Sequence, residues 1–287
     1  MLLREVEYAR PATVEEAVRL LGAHENARVL AGGQSLINVM KVRVASPDVL
    51  VDLGVIPELA TIEAVDGALE IGAMATYADL ILSPEVLTNR PIIAEVCLTI
   101  ADVQVRNRGT IGGNLCSNDP TNHLPPLASV LGATMTIAGP GGERTVSADE
   151  FFEGVYATAV GEGELLTRIT IPAAAGAGDG YASLAIGKDG TGIVNVAACV
   201  SGNGSIESAR VAVGCVAAVP VRAGAMEAAL QGATPTEDAV RAAARGLGQT
   251  LDPPSDVHAS ADYRRHLAEV LAVRAVLQAI ERAGAPT

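Results

Sequence analysis

Several residue types that mark particular classes of protein are scarce in this chain. Its 287 residues include no tryptophan, two phenylalanines and five tyrosines, so it has few of the aromatic side chains on which nucleic-acid bases stack. Its 20 lysine and arginine residues are outnumbered by 33 aspartates and glutamates, which gives a formal net charge of −13 at pH 7. A chain this acidic repels a phosphate backbone. The composition therefore argues against nucleic-acid binding.

Long apolar runs and a basic leader segment are also missing. No stretch of about 18 apolar residues occurs, so we expect no membrane-spanning helix. No basic segment followed by an apolar run opens the sequence, so we expect no secretory signal. The sequence predicts a soluble, cytoplasmic protein. Its length favours two or three compact units over a single core.

Two glycine-rich turns are present, far apart in the chain. They contain Ala31, Gly32, Gly33, Gln34 and Ser35 in the first, and Thr110, Ile111, Gly112, Gly113 and Asn114 in the second. Glycine adopts positive φ and has no Cβ, so successive N–H groups can converge on an oxyanion. A helix that begins after the turn adds the positive end of its dipole. We predict that the two turns form a split cradle of backbone amides for a diphosphate.

Other cofactor and catalytic signatures do not occur. The sequence has no Gly-x-Gly-x-x-Gly that opens a helix after a strand and no Gly-x-x-x-x-Gly-Lys-Ser/Thr, which disfavours a Rossmann site or an NTPase. It has no Gly-x-Ser-x-Gly and no histidine pair at i, i+4 spacing. We predict no catalytic residue and no metal site. A cofactor cradle without catalytic residues fits electron transfer, where the protein positions a cofactor that carries the chemistry.

The four cysteines are too few and too widely spaced for a disulfide framework or a metal site. We interpret Cys97, Cys116, Cys199 and Cys215 as small buried hydrophobes in a reducing compartment. Cys116 follows the second glycine turn. There we favour packing or backbone contact near a ligand over redox chemistry.

Local patterns divide the chain into a larger first part and a smaller second part. We expect domains at residues 1–175, with subdomains of about 1–56 and 57–175, and at 176–287. Residues 173–180, rich in alanine and glycine, are interpreted as a flexible linker.

Elements can be expected within both parts. The stretch Thr13-Val14-Glu15-Glu16 fits a capping box at the start of a helix, and helix and strand then alternate as in a small βαβ-like unit. Residues 139–142 predict a hairpin turn. Beyond the linker we expect three strands, two helices and a long terminal helix from Asp262 to Arg282.

The turns and their flanks match a known family over nearly the whole chain. The matching stretches are Tyr8-x-Arg10-Pro11, residues 30–37, Met40-Lys41-x-Arg43, Val51-Asp52-Leu53, residues 71–76 and 102–114, Asp119-Pro120 and residues 263–275. The chain resembles the medium, FAD-binding subunit of molybdenum-containing hydroxylases, the group of aerobic carbon monoxide dehydrogenase and the xanthine dehydrogenase relatives.

The resemblance implies an α+β fold and a role in electron transfer. It implies an FAD-binding domain of the vanillyl-alcohol-oxidase (PCMH) type, with FAD between two subdomains, and a C-terminal domain of three strands and a helical bundle. Relatives work with a large molybdopterin subunit and a small subunit that carries two [2Fe–2S] clusters, as a dimer of heterotrimers. Electrons pass from substrate at molybdenum through the clusters to FAD and then to an external acceptor. No additional iron–sulfur cluster is expected in this chain, since the cysteine loop that holds one in some relatives is missing.

The resemblance also carries site residues onto this sequence. It assigns cofactor contacts to Ala31, Gly32, Gly33, Gln34, Ser35, Leu36, Thr110, Ile111, Gly112, Gly113, Asn114, Asp119 and Lys188. Asp119 matches a polar contact to the ribityl or ribose region. Lys188 keeps the basic role of a stretch that approaches the isoalloxazine ring, and Ile193 replaces an aromatic residue there. The family often has an aspartate where His123 stands.

Two other hypotheses remain open at this point. The chain could be a self-sufficient FAD-dependent oxidase of the same fold, although that would need a substrate pocket and an acid/base residue for which the sequence shows no good candidate. It could also be a structural subunit whose cradle is vestigial. The organic substrate is chosen in the large subunit, so carbon monoxide, an N-heterocycle and an aromatic acyl thioester are not separated here.

Overall fold

The first sheet has three parallel strands, as the alternation of helix and strand predicted. The computed structural model describes residues 2–187 and 191–283. Its first elements are β1 (Glu7–Ala9), α1 (Val14–Ala23), β2 (Ala27–Leu30), α2 (Leu36–Lys41) and β3 (Val49–Asp52). The strand order is β1–β3–β2, and both pairings are parallel. The carboxyl end of β2 therefore runs directly into the first glycine turn.

The cap of α1 differs in part from its prediction. The Thr13 hydroxyl accepts the N–H of Glu16 at 3.2 Å, as a capping box requires. The Glu16 carboxylate accepts the N–H of Ala12 at 2.9 Å and not that of Thr13. The helix start is still stabilised, because the Glu16 N–H, which the helix leaves unpaired, is satisfied, and the Glu16 side chain binds the segment before the N-cap.

The second sheet is antiparallel and has five strands. Its region contains a 3₁₀ helix (Pro57–Ala60), β4 (Ile62–Val65), β5 (Ala68–Gly72), α3 (Tyr77–Leu82), α4 (Pro84–Asn89), α5 (Pro91–Thr99), α6 (Val103–Arg106), α7 (Ile111–Ser117), α8 (Leu124–Leu131), β6 (Thr134–Gly139), β7 (Gly142–Ser147), α9 (Ala148–Phe151), β8 (Phe152–Gly154), β9 (Ala157–Thr158) and β10 (Leu165–Ile171). The order is β4–β5–β10–β6–β7, and β8 pairs with β9. The predicted hairpin is confirmed, since Gly139 pairs with Gly142.

Apolar helices cover this sheet. Ile92, Ile93 and Val96 of α5 are at most 1% exposed, and they share one core cluster with Ile71 and Ile169 of the sheet. Several helices begin with proline, which is tolerated there because the first N–H groups of a helix have no partner within it. The sheet and its helices thus form the largest core and carry the second glycine turn at the start of α7.

The third sheet has four strands, one more than predicted. Its region contains β11 (Gly178–Ile186), β12 (Thr191–Ser201), β13 (Ser208–Gly214), β14 (Val221–Arg222), α10 (Gly224–Leu230), α11 (Glu237–Ala244), a 3₁₀ helix (Leu247–Thr250) and α12 (Ala261–Arg282). The strands lie in chain order and pair antiparallel. The additional strand has only two residues, too few to show a period in the sequence.

The last three residues of the predicted linker, 178–180, belong to a strand. β11 begins at Gly178, and a Cβ there would lie 2.1 Å from the carbonyl oxygen of Ala279. A Cβ at Gly180 would lie 1.9 Å from that of Ala275. These glycines therefore let α12 pack directly on the strand backbone. The flexible-linker interpretation was wrong for this part, because composition alone does not show a close approach.

One buried arginine fastens α12 to the sheet it covers. Arg264 is 3% exposed, and its guanidinium donates to the carbonyl oxygens of Ile193 and Cys215 and to the carboxylate of Asp256. Backbone N–H groups of His258 and Ala259, together with this guanidinium, lower the pKa of Asp256 to about 2. The pair therefore stays charged at ordinary pH.

A second buried ion pair joins the N-terminal part, which carries the first two sheets, to the third sheet. Nη1 of Arg90, before α5, lies 2.8 Å from Oδ2 and 3.0 Å from Oδ1 of Asp179 in β11. Both side chains are under 10% exposed. The same guanidinium donates to the carbonyl oxygens of Pro172 and Ala173, so it fixes the connection between the two parts as well.

In the described ranges, no helix is long and apolar enough to cross a membrane.

We expect Arg90→Met to lower the free energy of unfolding by about 3–5 kcal/mol, because it leaves the Asp179 carboxylate buried without its partner. Denaturant unfolding measures this loss. Arg241→Met is the matched control, because that arginine pairs with Glu237 on an exposed helix face and should change stability by about 0.5 kcal/mol or less. Equal effects of the two substitutions would contradict the role of the buried pair.

Candidate functional site

The two glycine turns lie against each other. A Cβ on Gly32 would stand 2.0 Å from the carbonyl oxygen of Arg108 and 2.9 Å from Cα of Gly109. A Cβ on Gly113 would stand 3.7 Å from that of Ala31. The turn that follows β2 therefore packs backbone to backbone on the segment that leads into α7. The predicted proximity of the turns is confirmed by these contacts.

The first turn presents free amides. In the described residues, the backbone N–H groups of Gly32, Gly33, Gln34, Ser35 and Leu36 have no hydrogen-bond acceptor. Gly33 has φ +71°, a conformation that favours glycine. The Ser35 hydroxyl precedes α2 without capping it. Five consecutive donors are thus available to a ligand.

Three carbonyl groups of the same turn, those of Gly32, Gln34 and Ser35, accept hydrogen bonds within the protein. The Gln34 side chain donates to the carbonyl oxygen of Gly32 at 3.2 Å, and the Asn38 side chain donates to that of Gln34 at 2.7 Å. The N–H of Val39 donates to that of Ser35 at 3.1 Å. Because three of its carbonyl oxygens are bonded and five of its N–H groups are free, the turn favours a negatively charged ligand.

The second turn differs from its prediction, because its amides from Ile111 to Asn114 are bonded within the protein. Ile111 and Gly112 donate to the carbonyl oxygens of Ala75 and Ala73 at 3.0 and 2.9 Å. The N–H of Gly113 donates to the hydroxyl of Thr110 at 3.0 Å, and the N–H of Asn114 donates to the carbonyl oxygen of Thr110. A row of free amides is therefore found in the first turn but not in the second, so the predicted cradle of amides from both turns was wrong for the second.

The glycines of the second turn serve close packing instead. A Cβ on Gly112 would lie 2.5 Å from the carbonyl oxygen of Ala73 in the segment after β5. The side-chain groups of this turn remain available. Thr110 caps α7 with its hydroxyl oxygen and keeps a hydroxyl hydrogen to donate. The second turn thus shapes the crevice and offers side chains to it.

Asn114 carries a buried acceptor without a partner. Its side chain is in a residue only 8% exposed, and its Nδ2 donates to the hydroxyl of Tyr77 at 3.0 Å. Its Oδ1 has no hydrogen bond in the described chain. Burial raises the pKa of Tyr77, so the phenol stays neutral. An orphaned buried oxygen is unfavourable, and a donor from a bound cofactor would satisfy it. This contact joins residues 37 positions apart in the chain, and no pattern in the sequence indicated it.

Asp119 lies on the wall of an open cleft beyond α7. Its Oδ1 accepts the N–H and the hydroxyl of Thr121, and its Oδ2 accepts the hydroxyl of Tyr156 at 3.0 Å. The segment after β13, with Cys215, forms the other side of the cleft. Tyr156 had no signal in the sequence. The predicted contact of Asp119 with ribityl or ribose stays a prediction.

Lys188 and Ile193 were expected near the isoalloxazine ring. Lys188 lies outside the described residues. Ile193 is 1% exposed within the core of the C-terminal part, so its side chain packs inside that core and the expectation that it faces the ring was wrong. His123 is buried, with Nδ1 2.6 Å from the hydroxyl of Tyr181 in β11, and so it joins the two parts of the chain.

The cysteines have the character of packing residues. Burial raises the pKa of Cys116 and Cys215 to about 12 and, together with the charge of Asp179, that of Cys199 also to about 12. The pKa of the fully buried Cys97 is raised as well. No group of three or more histidine, cysteine or acidic residues suited to a metal occurs within 2–187 and 191–283.

Comparisons with known proteins agree with this geometry. Residues 4–174 match the family described as FAD binding domain in molybdopterin dehydrogenase, and residues 181–279 match the CO dehydrogenase flavoprotein C-terminal domain. The chain belongs to the FAD-binding medium subunits of the molybdenum hydroxylases. The predicted family, cofactor and fold are therefore confirmed.

Individual members of this family are similar over almost their full lengths. The chain is 40% identical to the carbon monoxide dehydrogenase medium chain of Hydrogenophaga pseudoflava, with 96% of this chain and 97% of that one covered. It is 35% identical to the nicotine 6-hydroxylase medium subunit of Paenarthrobacter nicotinovorans, with 97% and 99% covered. A structure of the Hydrogenophaga pseudoflava carbon monoxide dehydrogenase lacking the Mo-pyranopterin moiety of its cofactor superposes with a TM-score of 0.95, at 40% identity, and covers 99% of this chain and 100% of that one.

We expect Gly32→Ala to abolish stable FAD binding and to destabilise the fold by about 1–3 kcal/mol or more, because the new methyl group would overlap the Arg108 peptide. FAD titration and denaturant unfolding measure the two effects. Gly22→Ala is the control, because nothing lies within 4 Å of the added Cβ and alanine is favoured in a helix by about 0.5–1 kcal/mol. Unchanged FAD affinity in the Gly32 variant would contradict the contact.

We expect the folded protein to react slowly with a thiol reagent at about pH 8, because a thiol whose pKa is about 12 forms almost no thiolate there. Unfolding in denaturant should expose all four thiols to rapid reaction. Rapid alkylation of Cys116 in the folded protein, located by mass spectrometry, would contradict the assignment of this residue to packing.

Proposed function

We propose that this chain holds FAD in the crevice between its two glycine turns and passes electrons from the [2Fe–2S] clusters of a partner subunit to an external acceptor. The single observation that carries the proposal is the row of five free amides from Gly32 to Leu36 beside the segment that opens α7. Donors without acceptors, next to a backbone contact that only glycine permits, suit a diphosphate. FAD supplies the redox chemistry when it is bound.

Each predicted contact has a proposed role. The turn of Ala31, Gly32, Gly33, Gln34, Ser35 and Leu36 holds the diphosphate with its backbone N–H groups and the Ser35 hydroxyl. Gly112 and Gly113 keep Ile111 and the start of α7 close to that turn. Thr110 donates its hydroxyl hydrogen, and Asn114 accepts a hydrogen bond at its orphaned Oδ1. Asp119 faces the ribityl or ribose region, and Lys188 the isoalloxazine ring.

The self-sufficient oxidase is less well supported. Such an enzyme needs an acid or base poised near neutral pH, but burial holds the phenols of Tyr77 and Tyr181 neutral. We therefore assign no catalytic residue to this chain. Its residues bind and orient the cofactor, and a partner subunit carries out the reaction with the substrate.

The proposed assembly contains a large molybdopterin subunit and a small subunit with two [2Fe–2S] clusters, as a dimer of heterotrimers in the cytoplasm. Similar proteins belong to a carbon monoxide dehydrogenase and a nicotine 6-hydroxylase. These two enzymes act on very different substrates although their medium subunits are similar. This supports the proposal that another subunit of the complex selects the substrate. We further propose domains at 1–175, with subdomains 1–56 and 57–175, and at 176–287.

The direct test is FAD uptake followed by reduction. The purified chain, alone or assembled with its large and small subunits, should take up one FAD and show the visible spectrum of oxidised flavin. Substrate should bleach the flavin only in the assembled complex. Bleaching by the isolated chain would favour the oxidase, and failure to take up FAD in either form would contradict the proposal.

We expect Ser35→Asp to weaken FAD binding by about 10- to 1000-fold while it leaves the stability of the apo protein unchanged or slightly higher. Two unit charges about 4 Å apart interact by about 1 kcal/mol in water and about 4 kcal/mol near a protein surface, so the new carboxylate repels the diphosphate. Aspartate is meanwhile a good N-cap for α2.

Thr236→Asp provides the control for this variant. Thr236 caps α11, far along the chain from the turns, so the same kind of substitution should leave FAD affinity unchanged. Wild-type affinity in the Ser35 variant would place the diphosphate elsewhere, even if FAD still bound.

A further inference from the structure

Tyr77 contacts the second glycine turn and the residue before it. It is the first residue of α3, and the preceding Thr76 caps that helix in a complete capping box with Asp79. The Tyr77 N–H donates to the carbonyl oxygen of Gly109 at 3.0 Å. The backbone of Tyr77 is therefore fixed twice, by the start of its own helix and by the segment that leads into α7.

The ring of Tyr77 supports the peptide against which the first turn packs. A Cβ on Gly109 would lie 2.6 Å from Cε2 of this ring, so the ring lies directly on the Gly109 backbone. Cα of Gly109 in turn stands 2.9 Å from the place that a Cβ of Gly32 would take. One glycine thus touches both the tyrosine ring and the turn that presents the free amides.

The hydroxyl of Tyr77 fixes the side chain of Asn114. Tyr77 is 5% exposed and Asn114 8%, and Nδ2 of Asn114 donates to the hydroxyl at 3.0 Å. Because the amide group is planar, holding Nδ2 also sets the direction of Oδ1, the buried oxygen that has no partner in the described chain. A side chain held at one end offers its other end in a fixed place, and this lowers the entropy lost when a ligand binds.

The chemistry of Oδ1 indicates which part of FAD it contacts. This oxygen accepts hydrogen bonds, and the diphosphate of FAD has acceptor oxygens only, so the two do not bind each other. The donors nearest to the diphosphate are the hydroxyls of the ribityl chain on one side and of the ribose on the other. The residue before Asn114 lies beside the first turn, since a Cβ on Gly113 would stand 3.7 Å from that of Ala31. Oδ1 therefore suits a hydroxyl next to the diphosphate.

We infer that Tyr77 is a positioning residue for FAD: its hydroxyl holds the Asn114 amide so that Oδ1 accepts a hydroxyl group next to the diphosphate. The inference rests on the proposed function, because it requires that FAD binds in the crevice. It gives a role in cofactor binding to a residue outside both turns, and that role is exerted through Asn114.

The test is a double-mutant cycle on FAD affinity with Tyr77→Phe and Asn114→Ala in the full chain. Phenylalanine keeps the ring and removes the hydroxyl, so FAD should bind about 3- to 10-fold more weakly, as expected for the loss of one hydrogen bond. In a chain that already carries Asn114→Ala, the same substitution should have no further effect on affinity, because no amide remains to be held.

Ser129→Ala is the matched control. Ser129 is 3% exposed, and its hydroxyl donates to the carboxylate of Asp149 at 2.5 Å. This substitution also removes a buried, hydrogen-bonded hydroxyl, so it should lower stability in denaturant unfolding, but it should leave FAD affinity unchanged.

Exchange of the Asn114 side-chain amide protons with water gives a measurement that needs no cofactor. These protons are identified in the NMR spectrum by their absence from the Asn114→Ala variant. They should exchange slowly in the wild-type protein, where the amide is buried and bonded to the phenol. They should exchange faster in Tyr77→Phe.

Two results would overturn the inference and leave FAD binding by the wild-type chain in place. One is wild-type FAD affinity and amide exchange in Tyr77→Phe. The other is an equal loss of affinity with and without Asn114→Ala, which would show that Tyr77 acts on the fold and not through Asn114. A wild-type chain that takes up no FAD, alone or in the assembled complex, would instead contradict the proposed function.

Discussion

One backbone contact determines the geometry of the site. Gly32 lies so close to the Arg108–Gly109 peptide that no side chain fits between them. The contact brings the turn that ends β2 against the start of α7, although these segments belong to different sheets. Because both surfaces are main chain, their separation does not depend on side-chain rotamers. The crevice is therefore set by covalent geometry and van der Waals contact, which are less variable than contacts between flexible side chains.

The two turns look alike in sequence but contribute differently. In the first, the carbonyl oxygens of Gly32, Gln34 and Ser35 are bonded and the N–H groups from Gly32 to Leu36 are free, so the turn presents partial positive charge. In the second, the N–H groups from Ile111 to Asn114 are bonded to Ala75, Ala73 and Thr110, so its contribution is shape and side chains. The site thus combines electrostatic attraction from one side with a close wall and a single orphaned oxygen from the other. A ligand with a diphosphate and several hydroxyl groups matches both.

Features that depend on neighbouring residues could be predicted from the sequence, and features that depend on distant partners could not. The hairpin at 139–142 and the start of α1 after Thr13 were predicted, because each is set within a few residues. Gly178 and Gly180 were interpreted as linker, because their partner, α12, lies about a hundred residues further along. The buried pair of Arg90 and Asp179 escaped notice for the same reason. The resemblance predicted the cofactor. Only the structure shows that the amides of the first turn are free and that those from Ile111 to Asn114 are bonded.

The close seating of α12 on β11 has a consequence for the order in which the chain acquires its structure. Beyond the backbone contacts at Gly178 and Gly180, Gln278 accepts the N–H of Tyr181 and Arg282 donates to the carbonyl oxygen of Asp179. During synthesis, the backbone of β11 therefore stays uncovered until α12, the last helix, has been made. Most of the core of the FAD-binding part comes from residues 69–171, with only Ala197 and Ala212 supplied by the third sheet, so this part can begin to fold while the ribosome still holds the remainder. The nascent protein would then be able to recruit its cofactor before the Asp179 carboxylate is locked against Arg90.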